Sequence, residues 1–228
     1  MTDWSTLTHA YGTAEDIPAL LDRLATEPDD AGWSDLWSAL CHQGTTYPAS
    51  RAALPRLADL AGRPEPVYAA QAVVLAGAIV ADGGEEVRVR FGEAVERLSR
   101  RADELLPAAD DDTYAYLLEA TLAFEGAAAW QDTLAWGVSG EEYEVECGEC
   151  GVDLAISVAD GTCAEEGGES TMTRPANAER LEGSERRAHD LATAHGKQQV
   201  ARVLLHLYGQ ATCPACGSEF VVAERVGG

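Results

Sequence analysis

The chain has 228 residues, 46% hydrophobic and 24% charged, a globular composition with length for one domain, or one and a small appendage. Lys plus Arg is 16 and Asp plus Glu is 39, so the net charge is −23. With one lysine, Lys197, and no basic run beyond Arg100-Arg101 and Arg186-Arg187, the chain repels a phosphate backbone, and nucleic acid is not an expected partner. A protein or peptide partner, basic in character, is compatible with that charge.

The start, Met1-Thr-Asp-Trp-Ser5, has neither the basic stretch nor the apolar core of a signal peptide. The most apolar run, 69–81, is shorter than the about 20 residues a bilayer requires. A cytoplasmic protein with no membrane segment is the expectation. Fifteen arginines beside one lysine, with abundant alanine, are similar to the coding bias of a high-GC bacterial genome.

Residues 1–138 predict helix after helix. Apolar residues recur at i, i+3, i+4 and i+7 in Ile17, Leu20, Leu21, Leu24, in Trp33, Leu36, Trp37, Leu40, and in Leu54, Leu57, Ala58, Ala61. The run 69–81 is apolar nearly all round and predicts a central helix covered on both sides. Residues 85–106 predict a longer helix with Phe91, Val95, Leu98, Ala102 and Leu105 inward, and Tyr114, Leu117, Leu118 begin another. Gly- and Pro-bearing breakers separate these segments, at 27–32, 44–48, 62–66, 82–84 and 107–112. Of six aromatic residues here (Trp33, Trp37, Tyr114, Tyr116, Trp130, Trp136), at least four are expected in the core.

An internal repeat is visible. Ile17-Pro-Ala-Leu-Leu-Asp-Arg-Leu-Ala25 resembles Leu54-Pro-Arg-Leu-Ala-Asp-Leu-Ala61, and Val95-Glu-Arg-Leu98 is a shorter third copy. Pro18 and Pro55 lie 37 residues apart. Two helices per repeat at such a period mark an α-solenoid, here of about four helical hairpins. An ordinary helical bundle would explain the stripes, but not the recurring Pro-led helix.

The composition changes at 141. Residues 143–146 and 152–158 alternate apolar and polar, predicting strands. The Gly-rich, polar segment 159–183 predicts a mobile loop, and 184–208 a helical insertion broken at Gly196. A last strand is expected at 219–223. The division is therefore 1–140, helical, and 141–228, a small β element.

Four of the six cysteines form two C-x-x-C-G turns, Cys147-Gly-Glu-Cys150-Gly151 and Cys213-Pro-Ala-Cys216-Gly217. Each turn aims two thiolates at one point, and two turns supply a tetrahedron suited to Zn²⁺. Cys147, Cys150, Cys213 and Cys216 are the expected metal ligands, with redox dithiol, iron–sulfur ligation and disulfides as alternatives. Four thiolates leave no open position for catalysis, so the zinc would be structural. The spacer between Cys150 and Cys213 is 62 residues, against the roughly 15–20 of a simple zinc ribbon. Cys163 is expected as a bystander in the loop, and Cys41 as plain core.

No nucleophile elbow, Walker loop, dinucleotide fingerprint or zincin helix occurs. The best local candidate for a ligand-facing loop is His42-Gln-Gly-Thr-Thr-Tyr47, with His42, Gln43, Thr45 and Tyr47 as candidate ligand-binding residues. The structural alternative is an inter-helix turn whose side chains bond to helix ends.

The stretch Trp33-Ser-Asp-Leu-Trp-Ser-Ala-Leu-Cys-His-Gln-Gly-Thr-Thr-Tyr-Pro-Ala-Ser50, followed by Ala53-Leu-Pro-Arg-Leu57, resembles bacterial HEAT-repeat proteins. The tail Leu205-His-Leu-Tyr-Gly-Gln-Ala-Thr-Cys-Pro-Ala-Cys-Gly217 resembles the zinc-ribbon ending of some of them. The resemblance implies a mainly α protein, a HEAT-like α-solenoid with a C-terminal four-cysteine zinc ribbon. It implies no reaction, because such solenoids serve mainly as binding surfaces. The expected function is a non-catalytic interaction scaffold with an acidic surface. The alternative is an enzyme or small-ligand binder with its site in the solenoid groove near His42–Tyr47.

Overall fold

The computed structural model describes residues 2–127, 133–165 and 168–226. The fold is mainly α, with short sheets. It divides into two compact units, Met1–Ala108 with Leu117–Ala128, and Ala109–Tyr116 with Ala129–Gly228. Residues 109–116 group with the second unit.

The first unit opens with a hairpin of β1 (Thr8–His9) and β2 (Gly12–Thr13), then α1 (Ile17–Thr26) and α2 (Asp30–Leu40). A second hairpin, β3 (Cys41–His42) and β4 (Thr45–Thr46), leads to α3 (Pro48–Ala61), α4 (Pro66–Arg90) and α5 (Gly92–Leu105). Helix α6 (Asp111–Glu125) gives this unit its residues from Leu117 onward. The stripes read from the sequence face inward: Ile17, Leu21, Leu24, Leu36, Leu40, Leu54, Leu57, Leu98 and Ala102 are all fully buried. Helix α2 starts where the Asp29 carboxylate accepts the Gly32 N–H at 2.6 Å, satisfying one of the orphan donors of the first turn.

Odd-numbered helices contact one another in succession, α1 with α3 and α3 with α5, while α2 contacts α4. Arginines repeat across the odd series. Arg63 donates to the carbonyl of Ala25 near the end of α1, and Arg101 donates to that of Ala61, the end of α3, at 3.0 Å. Arg56 pairs with Asp22 at 2.5 Å and Arg97 with Asp59 at 2.8 Å. The links span 34 to 40 positions of sequence.

Several expectations change. Pro18 sits in the first turn of α1, but Pro55 lies inside α3, which begins at Pro48, so the second copy is not Pro-led. The run 69–81 lies in the first of two helical stretches that make up α4: Asp82 and Gly83 stay helical, and the expected break falls at Gly84, at φ 60° and ψ −150°. By length and composition α4 could cross a membrane, but half of its most apolar window is buried within the fold. The helix expected over 85–106 is interrupted at Phe91, where φ is −111° and ψ 27°. Among the aromatics, Trp33 and Tyr114 are buried and Trp37 is half-buried. Tyr116 and Trp136 are exposed and Trp130 lies outside the described residues, so four core aromatics are not reached.

The second unit holds α7 (Thr133–Val138) and an antiparallel sheet in the order β5 (Tyr143–Glu146), β6 (Asp153–Ser157), β7 (Thr162–Glu165), β8 (Ser170–Met172). Helices α8 (Gly183–Ala194) and α9 (Gln198–Leu207) follow, separated at Gly196, then β9 (Gln210–Thr212), β10 (Glu219–Val221) and α10 (Ala223–Val226). The segment 159–183, expected as a mobile loop, thus contains the hairpin β7–β8. Its alternation is carried by Thr, Cys and Ala instead of large β-formers, yet Cys163 is fully buried opposite Ile156. Residues 109–116 join this unit because the Tyr114 hydroxyl lies 3.0 Å from His195 Nδ1, and Lys197 donates to the Ala109 carbonyl while stacking over the Tyr114 ring.

Candidate metal centre

The two C-x-x-C-G turns have the same backbone. In the first, the Cys147 N–H donates to the Val152 carbonyl and the Gly151 N–H to the Cys147 carbonyl, both at 2.9 Å. In the second, the Cys213 N–H donates to the Ser218 carbonyl and the Gly217 N–H to the Cys213 carbonyl, again at 2.9 Å. The closing glycines take φ 74° and 76°, left-handed values a side chain would oppose.

The intervening chain brings the turns together. Strand β5 ends in the first turn and β6 leaves it, while β9 and β10 flank the second. An isolated bridge, Arg174 to Gln210, couples the chain after β8 to β9, with reciprocal bonds of 2.8 and 2.9 Å. The Thr171 hydroxyl adds a bond to the Thr212 carbonyl at 2.7 Å, next to Cys213. The 62-residue spacer is spanned by paired strands and a helical hairpin.

The four sulfurs lie within 4.8 Å of one another. Cys147 and Cys216 sulfurs are 3.9 Å apart, and those of Cys150 and Cys213 3.8 Å. Four metal–sulfur bonds of about 2.3 Å in a tetrahedron place their sulfurs about 3.8 Å apart. Disulfide sulfurs would be about 2.05 Å apart, and all four cysteines are free thiols. The donor set therefore fits a tetrahedral metal ion.

The electrostatics agree. Cys147 is drawn down to about 6, first by the Ser218 hydroxyl and then by the N–H groups of Cys150 and Glu149. Cys216 is also lowered, by the hydroxyl and the N–H of Ser218. The Val152 N–H lowers Cys150, but desolvation and the other three sulfurs outweigh it and push the thiol up to about 12. Burial raises Cys213. Four thiolates this close oppose one another's ionisation, and a divalent cation among them removes the conflict.

Cys147 and Cys213 are buried, whereas Cys150 and Cys216 face solvent. Ser218, missed in the sequence, puts its hydroxyl 3.4 Å from the Cys147 sulfur and 3.2 Å from that of Cys216, linking the turns. Its only sequence signal is a hydroxyl residue directly after the second turn. Cys163 is buried in β7, its thiol pushed up to about 11 by desolvation, then by Cys213 and Cys147.

The other candidates lie on or next to the β3–β4 hairpin. His42 is half-buried with Nδ1 3.3 Å from the Tyr11 hydroxyl. Gln43 and Thr45 are exposed in the β3–β4 hairpin, and Gln43 takes φ 49° at its turn. Tyr47 precedes α3 and donates its N–H to Ser50 Oγ at 2.9 Å, as an inter-helix turn would. Cys41 is buried, as expected of core.

Comparison of the chain with protein-family models, with curated proteins and with solved structures finds no match.

Proposed function

We propose that this protein is a cytoplasmic, HEAT-like interaction scaffold whose C-terminal unit is stabilised by a structural zinc ion. One observation carries the metal: four free thiols, paired in two identical turns, at the separations tetrahedral Zn–S bonding requires. The all-thiolate tetrahedral set suits zinc or iron, and metal analysis separates the two. The repeated arginine links and the succession of odd-helix contacts support the solenoid reading. The net charge of −23 supports a partner with a basic surface.

Elemental analysis of the purified chain tests the metal, with one zinc per chain expected, lost in Cys213→Ser. Cys213→Ser should also lower the melting point of the C-terminal unit while far-UV circular dichroism keeps most of its helical signal. Unchanged zinc content and melting would refute the centre, and iron in its place would refute zinc. For the partner, a Lys/Arg-rich peptide probe should bind at low salt and release as salt rises; no binding at low salt would remove the adaptor reading.

A small-ligand reading is favoured by a different observation. A cavity of about 700 Å³ in the first unit is lined by His9, Tyr11, Asp16, Arg23, Asp35 and Ser38. Tyr11 is the hydroxyl partner of His42, so this is where the alternative would place its ligand. Its His9 does not serve as a base: Nδ1 accepts the Tyr11 N–H at 3.2 Å and Nε2 faces the Asp16 carboxylate at 3.2 Å.

A further inference from the structure

A divalent ion with four thiolates retains a double negative charge, and Glu146 precedes the first turn while Glu149 lies within it. Such a charge needs compensation from the outer shell. Helix α10 supplies a candidate. It packs against β5, which runs into the first turn, and against β10, which leaves the second. Its Arg225 guanidinium lies over the Phe220 ring at 5.8 Å. The same guanidinium occupies the space where Gly148, between the two ligands of the first turn, would carry a Cβ. That Cβ would lie 2.7 Å from Nη1 and 2.8 Å from Cζ. Gly148 is not in the left-handed region, so a Cβ there would meet the guanidinium without backbone strain, and the flexible arginine would have to give way.

We infer that Arg225 is a positioning residue for the metal centre, a charge-compensating clamp held on Gly148 that slows release of the ion. Arginine suits this role because its charge is permanent, and its planar face stacks on the bare backbone of a glycine and on an aromatic ring. The clamp also joins chain segments that flank the two turns, because Phe220 follows the second and Gly148 lies within the first. The inference rests on the metal reading above.

The test follows zinc transfer from the loaded, full-length chain to a chromogenic chelator by stopped flow. Arg225→Ala should release zinc about 10–100-fold faster, the range for loss of an outer-shell partner. Arg225→Lys should fall between the two, since it keeps charge and loses the planar face. Gly148→Ala should displace the guanidinium and match Arg225→Ala, and adding it to Arg225→Ala should cause no further acceleration. The gap between wild type and Arg225→Ala should narrow as salt rises, which a purely steric role would not produce. Release at the wild-type rate from Arg225→Ala, or additive effects in the double variant, would overturn the clamp while leaving the metal centre standing. A wild-type chain that purifies without zinc would overturn the centre, and the clamp with it.

Discussion

Single residues divide into those whose role is encoded by spacing and those whose role exists only in three dimensions. Leu57 belongs to the first kind: its place in an i, i+3, i+4, i+7 stripe is visible in the chain, and it is fully buried. Leu57→Ala should cost about 2–5 kcal/mol by denaturant melting, and a change near zero would mean the stripe can be opened without a cavity. The four cysteines are equally legible, because two thiolates three residues apart with a following glycine satisfy a coordination requirement that nothing else in the chain explains. Ser218 and Arg225 belong to the second kind. Ser218 reaches Cys147, 71 positions away, and Arg225 reaches Gly148. Neither has a periodic or motif signature, since their partners are fixed by how β5, β9 and β10 are brought together.

Elements were legible where chemistry and period agree. The strand 143–146 matches β5, and the break between α8 and α9 falls at Gly196, with φ 73°. Hairpin β7–β8 was hidden because its glycines and small polar residues read as loop while the register with β6 held it in place. The break expected at 82–84 falls on Gly84 alone, because Asp82 and Gly83 stay helical while Gly84, at φ 60° and ψ −150°, kinks α4. That helix makes a close approach at Gly77, where a Cβ would come within 2.6 Å of the Ala120 Cα on α6. Gly77→Ala should therefore destabilise by about 1–3 kcal/mol despite its better helix propensity, measured as a fall in the urea midpoint; a gain in stability would mean the helices can part. On α9, His206 has its Nδ1 2.7 Å from the Thr173 hydroxyl, and burial, then the Arg202 charge, hold its pKa below the usual 6.5. Protonation thus favours the unfolded chain. The stability is whole above pH 6.5 and declines as pH falls through the folded value. The urea midpoint of wild type should drop between about pH 7.5 and pH 5 by more than that of His206→Gln, and equal drops would assign the effect to other groups.

For the whole molecule, 39 acidic residues face 16 basic ones, and the arginine links along the odd helices engage only a few of them. Self-repulsion of this size weakens a compact state. The melting temperature should rise as sodium chloride goes from about 0.01 M to about 0.15 M, and a fall would mean the ion pairs outweigh the repulsion. The arginine links to Ala25 and Ala61 span 38 and 40 positions, near the 37-residue offset of Pro18 and Pro55, whereas Pro55 itself marks the interior of a helix and not its start. The split between the units was not legible either, because Tyr114 and Lys197 meet across 83 positions with no local sign of it.

The wide separation of the two sulfur turns bears on how the molecule is born. On a ribosome making roughly 5–20 residues per second, Cys216 is joined about 3–13 s after Cys150. For that interval the nascent chain carries only half a coordination sphere, and the sheet from β5 to β8 can pair while the other half is still unwritten. An ion that needs all four sulfurs could therefore be held only late in biogenesis, after the sheet from β5 to β8 is able to pair.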